Sequence, residues 1–144
     1  MPILNAQDAL VAIMVTTSAA DASVSEREMK SIKRIVGAMP AFDDYDHDRI
    51  GPIGSAMMDM LAEEDGLDAI LGLVKEALPP HLNETAYAMA CDVAAADGAV
   101  KLAELRFLEM VRHDLGVGRL AAAAIERGAR ARHQKLTPPA NPAA

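Results

Sequence analysis

A ten-residue acidic pattern occurs twice in this chain and constrains its fold more than any other feature. The first copy is Ala19-Ala20-Asp21-Ala22-Ser23-Val24-Ser25-Glu26-Arg27-Glu28, and the second is Ala95-Ala96-Asp97-Gly98-Ala99-Val100-Lys101-Leu102-Ala103-Glu104. Both read Ala-Ala-Asp-x-x-Val-x-x-x-Glu, 76 residues apart. The register extends outward, pairing Ala12 with Ala88, Ile32 with Leu108 and Ile35 with Val111. Each copy lies between two apolar stretches of helical period. The pattern therefore predicts a duplicated helix-turn-helix hairpin, with an Asp at the turn and a Glu in the first turn of the following helix. The 1–39 and 77–116 halves are expected to superpose.

The remaining segments fit the same all-α class. Asn5 is placed to cap a first helix, with Asp8 three residues on, and Leu10, Ile13, Met14 and Thr17 along one face. Ser25 and Glu28 form a capping box for a second helix, which carries Met29, Ile32, Ile35, Val36 and Met39 and stops at Pro40. A third helix is expected from Asp44 or Asp46, kinked or interrupted by Gly51-Pro52, and a fourth from Leu67 to Leu78. Asn83 is the expected cap of the fifth; Gly116 ends the sixth, and an Ala-rich seventh runs to His133. These make one bundle of about seven helices over residues 1–135, followed by a Pro-rich tail, 136–144, expected to be disordered. Helix formers dominate, and the only aromatics are two Phe and two Tyr.

Composition excludes several functions. A net charge of -7 argues against nucleic-acid partners, which need a basic footprint. Cys91 is alone, so there is no internal disulfide and no thiolate zinc site; a buried, inert thiol is expected there. No apolar run is long enough to span a membrane and the N-terminus lacks a signal-peptide pattern, so a cytoplasmic location is expected. His47, His81, His113 and His133 have no ligand spacing, and neither a nucleophile elbow nor a phosphate-binding Gly-rich loop is present, so the chain is not expected to be an enzyme.

Residues 97–104 match the second half of an EF-hand loop, but the preceding ligand positions are Val93 and Ala95, which cannot coordinate an ion. The motif acids allow two readings. They can simply cap helices, where a carboxylate meets free N–H groups and the helix dipole. Capping is better supported in the first copy; in the second, Lys101 stands where Ser25 stood, leaving Asp97 as the cap. Alternatively Asp21, Glu28, Asp97 and Glu104 bind a divalent cation, weakly. Four carboxylates converging on a pseudo-two-fold axis would need one, or each hairpin would hold its own Asp/Glu pair. Oxygen ligands favour Ca²⁺, Mg²⁺ or Mn²⁺.

The doubled Ala-Asp-(Gly)-x-Val-x-x-x-Glu pattern, each copy followed by Leu or Ile at helical spacing, resembles the TerB-like tellurite-resistance family over about residues 5–133. That resemblance implies an all-helical domain, metal-binding motif acids, and a cytoplasmic stress-response role exercised through protein partners. Ala22 departs from the pattern's Gly, and a left-handed residue there costs more for Ala, so the second site is the stronger expectation. The competing function is a metal-free protein-interaction scaffold. Two further features suit interaction. Met57, Met58 and Met60 form either core or an adaptable groove. Residues 41–68 hold nine acids and one Arg, whereas Arg106–Lys135 holds seven basic residues against three acids, an asymmetry that usually means solvated faces and can also steer docking or homo-oligomer formation.

Overall fold

Helix α1, Ala6–Ala19, has no solvent-facing side: every residue from Asp8 to Ala19 is buried. The computed structural model describes residues 3–20, 24–96 and 100–138. Around α1 stand α2 (Glu26–Ala38), α3 (Ile50–Leu61), α4 (Gly66–Ala77), α5 (Asn83–Ala95) and α6 (Leu102–Asp114), while α7 (Arg119–Arg132) packs on α5 from outside. The described residues contain seven α-helices, three short 3-10 turns and no strand. Their common core holds Leu10, Ile13, Met14, Ile32, Ile53, Met57, Ile70, Met89 and Phe107. Each such side chain contributes about 1.5–3 kcal/mol through burial. The single α1 face inferred from Leu10, Ile13, Met14 and Thr17 was too narrow, because Val11 and Val15 are also buried. A helix that is apolar all round belongs inside the fold.

The helix ends follow local chemistry. The Ser25 hydroxyl accepts from the Glu28 N–H at 3.1 Å, and the Glu28 carboxylate accepts from the Ser25 N–H at 3.1 Å, completing the expected box. Asn5 and Asp8 form another, at 2.7 and 3.0 Å. After α6, the Gly116 N–H reaches the His113 carbonyl and the Val117 N–H reaches the Arg112 carbonyl, with Gly116 at φ 66°. This is a Schellman stop, and the left-handed residue is the glycine. The bounds of α6 are those of α2 moved by 76 residues, the offset of the two acidic patterns.

Several local expectations are corrected. The 41–50 segment is not the start of α3; it makes two 3-10 turns, Pro40–Phe42 and His47–Arg49, and buries Phe42 and Tyr45. Gly51-Pro52 does not interrupt α3, because both lie in its first turn, where a missing N–H loses no intrahelical bond. Asn83 does not cap α5; it is that helix's first residue, and its amide donates to the Leu115 carbonyl at 3.0 Å. Met39 is exposed, and of the methionine cluster Met57 is core while Met58 lies at the surface.

Leu136 is fully exposed, and residues 139–144 of the tail lie outside the described residues. Deleting 136–144 is expected to leave the calorimetric melting temperature unchanged within error. A loss above about 1 kcal/mol would show that the tail packs.

Candidate functional site

Two glutamates of the acidic patterns turn inward. Glu28 is 4% exposed and Glu104 is 3% exposed, each the third residue of its helix. The helix geometry alone does not require this, since a capping-box glutamate can lie at the surface. Burying a carboxylate is costly unless charges or hydrogen bonds compensate it. Glu28 accepts from the Ser25 N–H. Glu104 accepts from the Lys101 N–H at 3.4 Å, so it reaches back across its helix start although Lys101 offers no acceptor in return. Asp21 and Asp97 lie outside the described residues. Among the described residues no group of three or more His, Cys, Asp or Glu side chains is gathered as a metal site.

The exit of α1 carries further oxygen donors that sequence reasoning passed over. The hydroxyls of Thr16 and Ser18 are buried and have no hydrogen-bond partner among the described residues, whereas Thr17 donates to the Ile13 carbonyl at 2.7 Å. Beside that exit opens a cavity of about 550 Å³, bordered by Ala19, Ala20, Glu63, Glu64, Asp65 and Asp68. Its acids come from the α3–α4 junction and the first turn of α4.

Asp8, expected only to accompany a cap, is a densely connected carboxylate. It is completely buried. Its oxygens accept from the Asn5 N–H at 3.0 Å, the Tyr45 hydroxyl at 2.8 Å, and Arg49 through Nε at 2.9 Å and the terminal nitrogen at 2.5 Å. Burial by itself would raise its pKa, but the bonds from Arg49, Asn5 and Tyr45 outweigh this and hold it below the usual carboxylate value. Burial beside that carboxylate pushes the Tyr45 hydroxyl well up. Gln7 adds donations to the Ala41 and Asp43 carbonyls at 3.1 and 3.0 Å. These bonds fasten the 40–49 segment onto α1. All of Asp8's close partners are donors or cations, so the site is already satisfied and is structural. The sequence signal was limited: Asp8 directly precedes the apolar run Ala9–Val15.

Across the molecule, the Tyr87 hydroxyl on α5 donates to Glu126 on α7 at 2.6 Å. Cys91, one turn further along α5, is 5% exposed, and burial pushes its thiol up to about 12. A thiol with so little thiolate is a poor nucleophile, in line with the inert role expected for it.

No described helix is long and apolar enough to cross a membrane. Comparison with curated proteins and with solved structures gave no significant match. The family model described as tellurite resistance protein TerB matches residues 7–127. That span runs from the first turn of α1 into α7 and contains both acidic patterns with their inward-turned glutamates, so the chain belongs to the TerB tellurite-resistance family.

Proposed function

We propose that this domain is a non-catalytic, divalent-cation-associated module of a cytoplasmic bacterial stress response, acting through protein partners. The observation that carries the reading is the near-complete burial of Glu28 and Glu104, each the third residue of a helix that follows the Asp of its acidic pattern in the sequence. Asp21 with Glu28, and Asp97 with Glu104, supply hard oxygen ligands suited to Ca²⁺, Mg²⁺ or Mn²⁺. The unpartnered Thr16 and Ser18 hydroxyls and the acidic cavity beside Ala20 support a preference for cations at the first motif. The cation would neutralise the acids at the two helix starts, and the chain's own residues supply oxygen donors and helix-start N–H groups.

Melting in millimolar Ca²⁺, Mg²⁺ or Mn²⁺ tests this against NaCl at equal ionic strength. A cation at 100 times its dissociation constant adds about 2.7 kcal/mol. Few ligands per turn suggest a dissociation constant on the order of 10⁻⁴ M or weaker. Glu104→Gln retains an acceptor for the Lys101 N–H but removes the charge. It should abolish most of the cation response while changing metal-free stability by only a few tenths of a kcal/mol. Equal responses to divalent salt and NaCl would defeat the metal reading. They would favour a metal-free interaction scaffold, which the capping bonds of Glu28 and Glu104 support.

A further inference from the structure

We propose that the groove between α6 and α7 is a docking slot for an acidic amphipathic helix of a protein partner. The proposal rests on the reading that the domain works through partners, and it is independent of any cation.

Helices α6 and α7 both pack on α5 but hardly touch each other. The Schellman stop at Gly116 sends the chain away from α6 before α7 begins. A cavity of about 650 Å³ is left between them. Its floor is α5, with Cys91, Ala94 and Ala95, and its walls carry Leu105 and Leu108 on one side and Ala129 on the other. The small floor matters, because two helices approach to about 8–10 Å only where the side chains between them are short. The floor residues from Tyr87 to Ala95 span about 12 Å, roughly two helical turns. The groove thus has the form of a bundle position from which one helix is missing. Leu105 and Val100 at its lip are 48% and 39% exposed, and Leu102 beside them is 63% exposed. Large apolar side chains gathered at an open slot mark an interaction surface.

Charge identifies the occupant. Although the chain carries -7 overall, this groove is bordered by Arg112, Arg130 and Lys135. None of the three forms a salt bridge among the described residues. Glu109 and Glu126 are the only acids in the lining, and Glu126 already accepts from Tyr87. Cations around an apolar slot favour a helix with Leu-like residues at i, i+3, i+4 and i+7 and carboxylates on its flanks. The thiol of Cys91 adds apolar floor rather than reactivity.

The test uses the full chain in EDTA buffer, so that failure of the cation reading leaves its outcome untouched. The probe is a fluorescein-labelled synthetic helix of about fifteen residues, with leucines at those spacings and flanking glutamates. A second probe has lysines in place of the glutamates. Anisotropy should show the acidic probe binding at least about tenfold more tightly than the basic one, and more weakly as salt rises. The double variant Arg112→Glu with Arg130→Glu should lose about tenfold in affinity for the acidic probe while melting normally, since Arg130 is exposed, Arg112 is half-exposed, and neither is ion-paired. Amide shifts in heteronuclear NMR should centre on Ala94, Leu108 and Ala129. Equal affinity for both probes, no binding at about 1 mM, or shifts centred elsewhere would overturn the proposal. So would a dimer seen by light scattering and dissolved by the double variant, which would make a second copy the occupant. Anilinonaphthalene sulfonate shifting the same amides and resisting displacement by the acidic probe would assign the groove to small anions instead.

Discussion

Asp8→Ala is expected to destabilise the domain by about 3 kcal/mol, the lower end of the range for breaking a buried ion pair. The lower end applies because the Arg49 side chain is 41% exposed and can recover hydration. Three losses combine: the charge partner of Arg49, the acceptor for the Tyr45 hydroxyl, and the capping contact with the Asn5 N–H. In a domain of this size about 3 kcal/mol lowers the melting temperature by roughly 10 °C. Tyr45→Phe removes one hydrogen bond and should cost about 1 kcal/mol. The pH dependence has a definite sign. Asp8 has a folded pKa below its unfolded value, so its contribution is fully present above the unfolded value of about 4. It is lost as pH falls through the folded value. The gap in stability between wild type and Asp8→Asn should therefore be constant from neutral pH down to about 5 and shrink below about 4. A gap that stays constant down to about pH 2 would show that folding does not lower the Asp8 pKa.

Gly66→Ala should cost about 2–3 kcal/mol, against the direction that helix propensity predicts. Gly66 is the first residue of α4, and alanine in a helix interior is ordinarily better than glycine by about 1 kcal/mol. Here a Cβ would stand 2.1 Å from the Met60 carbonyl oxygen and 3.0 Å from the Leu61 Cα. Both are backbone atoms, so no side chain can rotate aside. The α3–α4 junction would have to open, and overpacking of this kind typically costs 1–3 kcal/mol. Chemical denaturation measures the effect. An alanine variant equal to or more stable than wild type would show that the junction yields without loss. Gly72, with nothing within 4 Å of an added Cβ, is the control; Gly72→Ala should be neutral or stabilising.

These two positions show where sequence reading stops. Asp65-Gly66 is a turn signal in any sequence, but only the approach of Met60's carbonyl makes the glycine necessary. Asp8 reads as a first-turn acid because its capping partner is three residues away, whereas Tyr45 and Arg49 lie 37 and 41 residues on. Residue spacing carries information about neighbours in a helix and none about which distant segment folds back. For the same reason nothing in the sequence shows that Phe42 and Tyr45 anchor the 41–50 stretch to the core.

The sequence by itself determined the helical class, the Ser25–Glu28 box, the Gly116 stop and the exclusion of strands, because these rest on period, capping chemistry and backbone preference within a few residues. The resemblance carried by its two acidic patterns matched the family to which the chain belongs. Tertiary structure alone decided that α1 is surrounded on every side, that Glu28 and Glu104 turn inward, that Asp8 ties the 40–49 segment down, and that α6 and α7 part over α5. Each of these depends on the packing of segments remote in the chain, where burial and non-local hydrogen bonds outweigh local propensity.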